Sequence, residues 1–355
     1  MEKLTHFLKG APKEVNIVVL PDFFLDRLIT LEQEPSEFAT TIRDIASRKG
    51  GSIDGIRQTD IRGGNAVNVA SALATFGAKV TPIICTSQLG QQLLIHHLKP
   101  LGVDLSHVKV AGSASMTTAL ELTGVNGRVN VMLRDLGSLA DFGPENLSND
   151  DYEAIRVADF VCIFNWAGTR RHGTELAQKV FGVAKTNGRG KTYFDSADPT
   201  PNPEQIPMLI ENVLTNSHAD ILSLNENEAI TYAGYLKKET QLKRDNQQLD
   251  DLALKAARFL AKQLSARIDL HATTFSATFT KCGETIVPVF NVSALRATGA
   301  GDAWDAGNII GYWNNLSDDC RLTLANAVSA CYLTDPEGAH PTRQKLVRFL
   351  ETYEA

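Results

Sequence analysis

The sequence has no Cys-x-x-Cys pair, no long basic run and no stretch of about 18 apolar residues. The first absence removes zinc-ribbon and thioredoxin-type chemistry. The five cysteines scattered over 355 residues read as reduced thiols, each expected as a small core residue. The second absence removes generic electrostatic binding to nucleic acid or to an anionic membrane, in keeping with a formal net charge of −6. The third removes a membrane-spanning helix. Residues 1–14 hold no apolar segment of signal-peptide length, so a cytoplasmic location is expected. No Gly-x-Gly-x-x-Gly follows the first apolar strand, which speaks against a dinucleotide-dependent dehydrogenase. Gly188-Arg189-Gly190-Lys191-Thr192 imitates the end of a P-loop. Lys185 stands where its first glycine belongs, and the segment precedes a strand where a P-loop must follow one, so it reads as a turn.

What remains is a chain with 43% hydrophobic and 21% charged residues, the balance of an ordinary globular protein with a large core. Val15–Leu20 reads as a buried strand. Residues 35–49 and 66–76 read as helices stopped by glycine, and Val80–Cys85 as a strand. Between Val103 and Leu133 short alternating runs (Val108–Val110, Thr117–Leu122, Val129–Leu133) predict antiparallel strands. From Asp151 onward strand and helix alternate, with strands at Phe160–Phe164, Thr192–Phe194 and Ile221–Leu224. That alternation predicts a parallel sheet covered by helices on both faces. The expectation is a single α/β domain over 1–355, doubly wound, with a small β-rich lid drawn from about 52–62 and 103–134.

Three stretches carry chemistry. Thr298-Gly299-Ala300-Gly301-Asp302 follows a strand-like run, Thr285–Val292, and opens a helix. Small residues bring several backbone N–H groups to one point, and the helix dipole adds positive potential there. Asp302 beside such a nest can take a proton from an attacking hydroxyl; it could equally be a helix cap. Gly63-Gly64-Asn65-Ala66-Val67-Asn68 opens another helix, with Asn68 one turn in, where its amide could meet a ligand hydroxyl or simply pack. Asn225-Glu226-Asn227-Glu228 follows the strand Ile221–Leu224. Polar groups at that end of a parallel strand face the ligand crevice and could hold Mg²⁺ through water. The same spacing is close to a capping box. Softer candidates are Asn165, Trp166, Asp195 and Arg134.

In this order the three stretches resemble the ribokinase-like PfkB carbohydrate kinases, and the resemblance extends over about residues 15–340. It implies that Asp302 is the catalytic base and that Gly299, Ala300 and Gly301 form the anion hole. It implies that Asp26, Gly63, Gly64 and Asn68 bind the acceptor, and that Asn225 and Glu228 act near Mg²⁺ and the phosphates, Glu228 through water. Asn326, in Leu324-Ala325-Asn326-Ala327, would lie beside the nucleotide base. The implied activity moves the γ-phosphoryl group of a nucleotide, expected to be ATP, to a hydroxyl of a sugar, nucleoside or related polyol. A homodimer through the lid is an implied partner. Phe23 and Phe24 beside Asp26 suggest an apolar wall for a nucleobase. Departures from the family pattern are Pro21 and Phe24 in the first motif, and Arg296-Ala297 where Asp-Thr is usual. His271–Ala277 also lacks glycine, which keeps ADP open as donor. Arg296 speaks against a monovalent cation, whose charge its guanidinium would replace. The alternative is a ligand-binding protein that keeps the fold without catalysis; retention of Gly299-Ala300-Gly301-Asp302 argues against it.

Overall fold

The computed structural model describes residues 2–124, 127–186, 188–216, 218–237, 248–296 and 298–354. In chain order the first strands are β1 (Asn16–Leu20), β2 (Phe24–Thr30), β3 (Arg57–Gly63), β4 (Lys79–Pro82) and β5 (Cys85–Thr86). β6 (Lys109–Val110), β7 (Ser115–Gly124) and β8 (Gly127–Asp135) follow. The second half supplies β9 (Phe160–Phe164), β10 (Lys191–Asp195), β11 (Ile221–Leu224) and β12 (Arg267–His271), then the hairpin strands β13 (Phe275–Thr280) and β14 (Gly283–Pro288).

The main sheet runs β14-β13-β12-β11-β10-β9-β1-β4. β4, β1, β9, β10, β11 and β12 are parallel; β13 and β14 join antiparallel. Its strands read as unbroken apolar runs because both faces are covered. Val18, Leu20, Val161 and Ile163 point into one core, while Ile17, Val19, Phe160, Cys162 and Phe164 point into the other. That is the two-residue period of a strand feeding two separate cores. Chain order reverses between β1 and β9, so the ends of these strands form a topological switch point, the place where open α/β sheets bind ligands.

The lid sheet has the order β3-β2-β7-β8. It departs from the sequence expectation in three ways. β2 joins it, because Phe24–Thr30 leaves the core directly after β1. β2 pairs with β7 in parallel, so the sheet is mixed. Residues 108–110 do not belong to it: Lys109–Val110 pairs with Cys85–Thr86 in a separate ribbon. The run 285–292 is also shorter as a strand, ending at Pro288. Of the cysteines, Cys85, Cys162 and Cys331 are buried, but Cys282 is exposed and Cys320 partly so. Cys282 sits in the turn between β13 and β14, which has no core to enter. No helix among the described residues is long and apolar enough to cross a membrane.

Candidate active site

Asp302 lies in the first turn of helix Ala300–Trp313, whose preceding residue Gly299 has φ 81°. A Cβ at Gly299 would come within 2.6 Å of the Tyr332 hydroxyl, so glycine is required there by backbone angle and by space. The Asp302 carboxylate accepts from Asn65 Nδ2 at 2.7 Å and from Asn68 Nδ2 at 2.8 Å. Both asparagines are on helix Asn65–Thr75. Burial pushes the Asp302 carboxyl up to about 7; the charges of Asp195 and Asp22 add to this and the asparagine bonds oppose it. Asn68 is engaged at both ends of its amide, since Arg62 Nε donates to its Oδ1 at 3.3 Å. Here its amide holds the Asp302 carboxylate with one of its two N–H groups.

The diglycine has two different reasons. Gly64, φ 95°, lies against the backbone of Phe23, where a Cβ would approach Cα to 2.7 Å. At Gly63 a Cβ would fall 2.0 Å from Asp26 Oδ2, so the missing side chain makes the room in which the Asp26 carboxylate stands. Burial raises the Asp26 carboxyl to about 6, opposed by a hydrogen bond with Thr117 and by the charge of Arg134. Its Oδ1 is buried with no partner in the protein, as an acceptor awaiting a donor is. Asp26, Thr117 and Arg134 stand in register across β2, β7 and β8, hence on one face of the lid. Arg134 lies over the Phe24 ring, 5.0 Å from its centroid.

Phe23 and Phe24 are both buried, one in each core. Neither ring offers a wall to a ligand, so the argument for a nucleobase beside Asp26 falls. Trp166 is likewise a core residue, its Nε1 donating to Thr174 Oγ1 at 3.0 Å. Asn165 adopts φ 48° and donates to Asp22 Oδ2 at 2.8 Å. Sequence reasoning missed Asp22. It is fully buried and accepts from the backbone of Asn65 and Ala66, capping the helix that carries both asparagines. A lone Asp after a strand gives no signal for this; the partners lie about forty residues on. Asn65 was missed for the same reason.

Asn225 and Glu228 bond each other: Glu228 accepts from the Asn225 backbone at 2.9 Å and side chain at 2.7 Å, and returns its own N–H to Asn225 Oδ1 at 3.0 Å. This is the capping box. Burial holds the Glu228 carboxyl well above its ordinary range, and Asp195, Asp198 and Glu226 add repulsion. Several carboxylates thus converge at the strand ends, a donor set that fits a hydrated Mg²⁺.

On the other side of Asp302 a cavity of about 710 Å³ opens between Glu226, His271, Thr273, Gly301, Trp304 and Asn326. Asn326 Oδ1 accepts from Trp304 Nε1 at 2.9 Å and Ser276 Oγ at 2.6 Å, while its Nδ2 donates to the Pro288 carbonyl at 3.0 Å. Nearby, Arg296 Nη2 donates to the carbonyls of Asp335 at 2.6 Å and Pro336 at 2.9 Å, and the guanidinium lies over Tyr332. Ala297 lies outside the described residues.

Residues 39–345 match the model of the pfkB family of carbohydrate kinases. The chain belongs to that family. This carbohydrate kinase is therefore a phosphotransferase with an alcohol group as acceptor. It is 24% identical over 300 residues to a 5-dehydro-2-deoxygluconokinase of Geobacillus kaustophilus, covering 82% of this chain and 85% of the relative. It is 24% identical over 310 residues to a ribokinase of Haemophilus influenzae, covering 86% and 92%. Among solved structures, the kinase shares its fold with adenosine kinase from Sinorhizobium meliloti (TM-score 0.70, 15% identity, 95% of this chain and 99% of that one). It shares it also with Arabidopsis thaliana ribokinase complexed with ribose and ATP (TM-score 0.69, 19% identity, 96% and 99%).

Proposed function

We propose that this kinase transfers the γ-phosphoryl group of ATP to a hydroxyl of a sugar, with Asp302 as general base. The observation that carries this reading is the Asp302 carboxylate itself. It is buried at a helix N-terminus, fixed by two amides, and has its pKa near the pH at which a base works best. The Gly299-Ala300-Gly301 backbone, with the dipole of helix Ala300–Trp313 behind it, is the anion hole for charge developing on the transferred group. Asp26, in the space left by Gly63 and against Gly64, accepts hydrogen bonds from acceptor hydroxyls. Asn68, with Asn65, aims the base. The cavity walled by Trp304 and Asn326 receives the nucleotide. Glu228, oriented by Asn225, would hold Mg²⁺ through water, and the ion would supply positive charge against the phosphates. The names of the relatives support sugars as acceptors, and the ribokinase complex with ribose and ATP supports the donor.

The test is ATP-dependent phosphorylation over a panel of sugars and sugar acids, with Asp302→Asn beside the wild type. The variant is expected to lower turnover by roughly 10²–10⁴, the usual worth of a general base. Wild-type turnover in the variant removes Asp302 from its role, and no transfer to any acceptor overturns the reading.

Arg296 makes the enzyme independent of monovalent cations, because its guanidinium already sits on two backbone carbonyls beside the anion hole. Replacing K⁺ by tetramethylammonium at constant ionic strength should leave kcat unchanged. A several-fold fall would contradict this. The exposed apolar edge strand β8 pairs the lids of two copies.

A further inference from the structure

Asp195, one of the carboxylates gathered at the strand ends, also meets two side chains to which the phosphoryl-transfer reading gives no role, His271 and Asp305. Asp195 closes β10, His271 closes β12, and Asp305 lies one turn beyond Asp302 on the same helix. One carboxylate oxygen from each aspartate and one imidazole nitrogen all lie within 4.8 Å of one another. His271 Nε2 stands 3.6 Å from Asp195 Oδ2.

Each carboxylate is held by its other oxygen. Asp195 Oδ1 accepts from the Ala197 backbone at 2.8 Å. Asp305 Oδ1 accepts from the Tyr193 hydroxyl and from Ser223 Oγ, both at 2.6 Å. These bonds turn the remaining oxygens inward. Asp305 Oδ2 is buried with no hydrogen-bond partner in a residue only 1% exposed, and His271 Nε2 is also buried and unpartnered. The His271 ring is seated against Trp304, centroids 5.1 Å apart, and against Gly301, where a Cβ would meet it at 3.3 Å. Two inward carboxylates with an imidazole nitrogen beside them, and orphaned lone pairs among the three, describe a hole shaped for positive charge. Oriented donors whose outer atoms are already hydrogen-bonded are how proteins prepare metal ligands.

We propose that Asp195, His271 and Asp305 form a resident site for a first-row divalent metal ion, Zn²⁺ or Mn²⁺, that binds without nucleotide. Metal–ligand bonds of about 2.0–2.2 Å place tetrahedral neighbours roughly 3.3–3.6 Å apart. The His271–Asp195 pair already meets that spacing at 3.6 Å, and the Asp305 oxygen lies within 4.8 Å of both. One nitrogen with two carboxylate oxygens suits zinc or manganese, whereas Mg²⁺ and Ca²⁺ prefer oxygen alone. The site differs from that of a Mg²⁺ carried in with phosphates in drawing on His271 and Asp305 and in needing no nucleotide to fill.

The test is Mn²⁺ titration of chelator-treated protein without nucleotide, read by the electron paramagnetic resonance of free Mn²⁺, with Zn²⁺ as competitor. One ion per chain is expected, with affinity falling at least about tenfold in Asp305→Asn and in His271→Gln. Absence of binding in the wild type overturns the proposal. So does equal binding by both variants, or uptake only after ATP is added. A proton shared between Asp195 and Asp305 would give the first of these results. Should Asp305→Asn fail to fold, His271→Gln decides alone, since its ring lies at the cavity wall. Because the readout needs neither acceptor nor turnover, its failure is distinct from failure of the kinase reading.

Discussion

Asp302 carries a pH dependence whose sign follows from its surroundings. Its carboxyl stands at about 7 when folded against 3.8 unperturbed. A base must be ionised to accept a proton, so kcat/KM for the acceptor should rise with pH and level off through about 7. A flat profile between about pH 5.5 and 8.5 would exclude it as base. Stability runs the other way. Between the two values the folded chain holds a proton that the unfolded chain has released. The contribution is fully present below the unfolded value and lost as pH rises through about 7. Asp302→Asn removes that titration, so its unfolding free energy relative to wild type should shift in its favour from about pH 5 to 8. Denaturant titrations at the two pH values check this, and a constant difference would show that Asp302 does not titrate there. The residue was legible in the sequence because Gly299-Ala300-Gly301-Asp302 is contiguous. Asn65, Asp22 and His271 were not, because their roles arise from partners distant in the chain, and periodicity says nothing about which partners meet.

At the level of elements, the diglycine at the end of β3 is a joint between lid and helix. Sequence marked it but could not assign its parts: Gly64 serves the backbone angle, Gly63 the Asp26 carboxylate. Gly63→Ala must displace Asp26. It should raise KM for the acceptor about tenfold or more, equivalent to ~1.4 kcal/mol, while KM for ATP stays near its wild-type value. Equal KM values for the acceptor would place the acceptor elsewhere. β2 escaped detection because Asp26 and Arg27 interrupt its alternation. Its place is set by pairing with β3 and β7, not by its own propensity. The main-sheet strands were legible because burial on both faces writes them as apolar runs.

Taken whole, the molecule is a sheet with a large core on each face, continued through the diglycine at the end of β3 into a four-stranded lid. β8 is the lid's outer strand, with Val129, Val131, Met132 and Leu133 exposed. Such an edge invites pairing. Light scattering should give twice the 38.6 kDa chain mass, and Met132→Lys with Leu133→Lys should give single chains. A monomeric wild type would refute lid pairing. The doubly wound architecture was legible from the alternation after Asp151. The mixed lid was not, since parallel and antiparallel pairing leave the same two-residue pattern. The bond between Asn65 and Asp302 joins positions 237 apart in the chain. On a ribosome the helix bearing Asn65 is complete long before Asp302 is made. On the role proposed for Asp302, catalytic competence therefore arrives late in synthesis and all at once, and a nascent chain stalled before residue 302 spends no ATP.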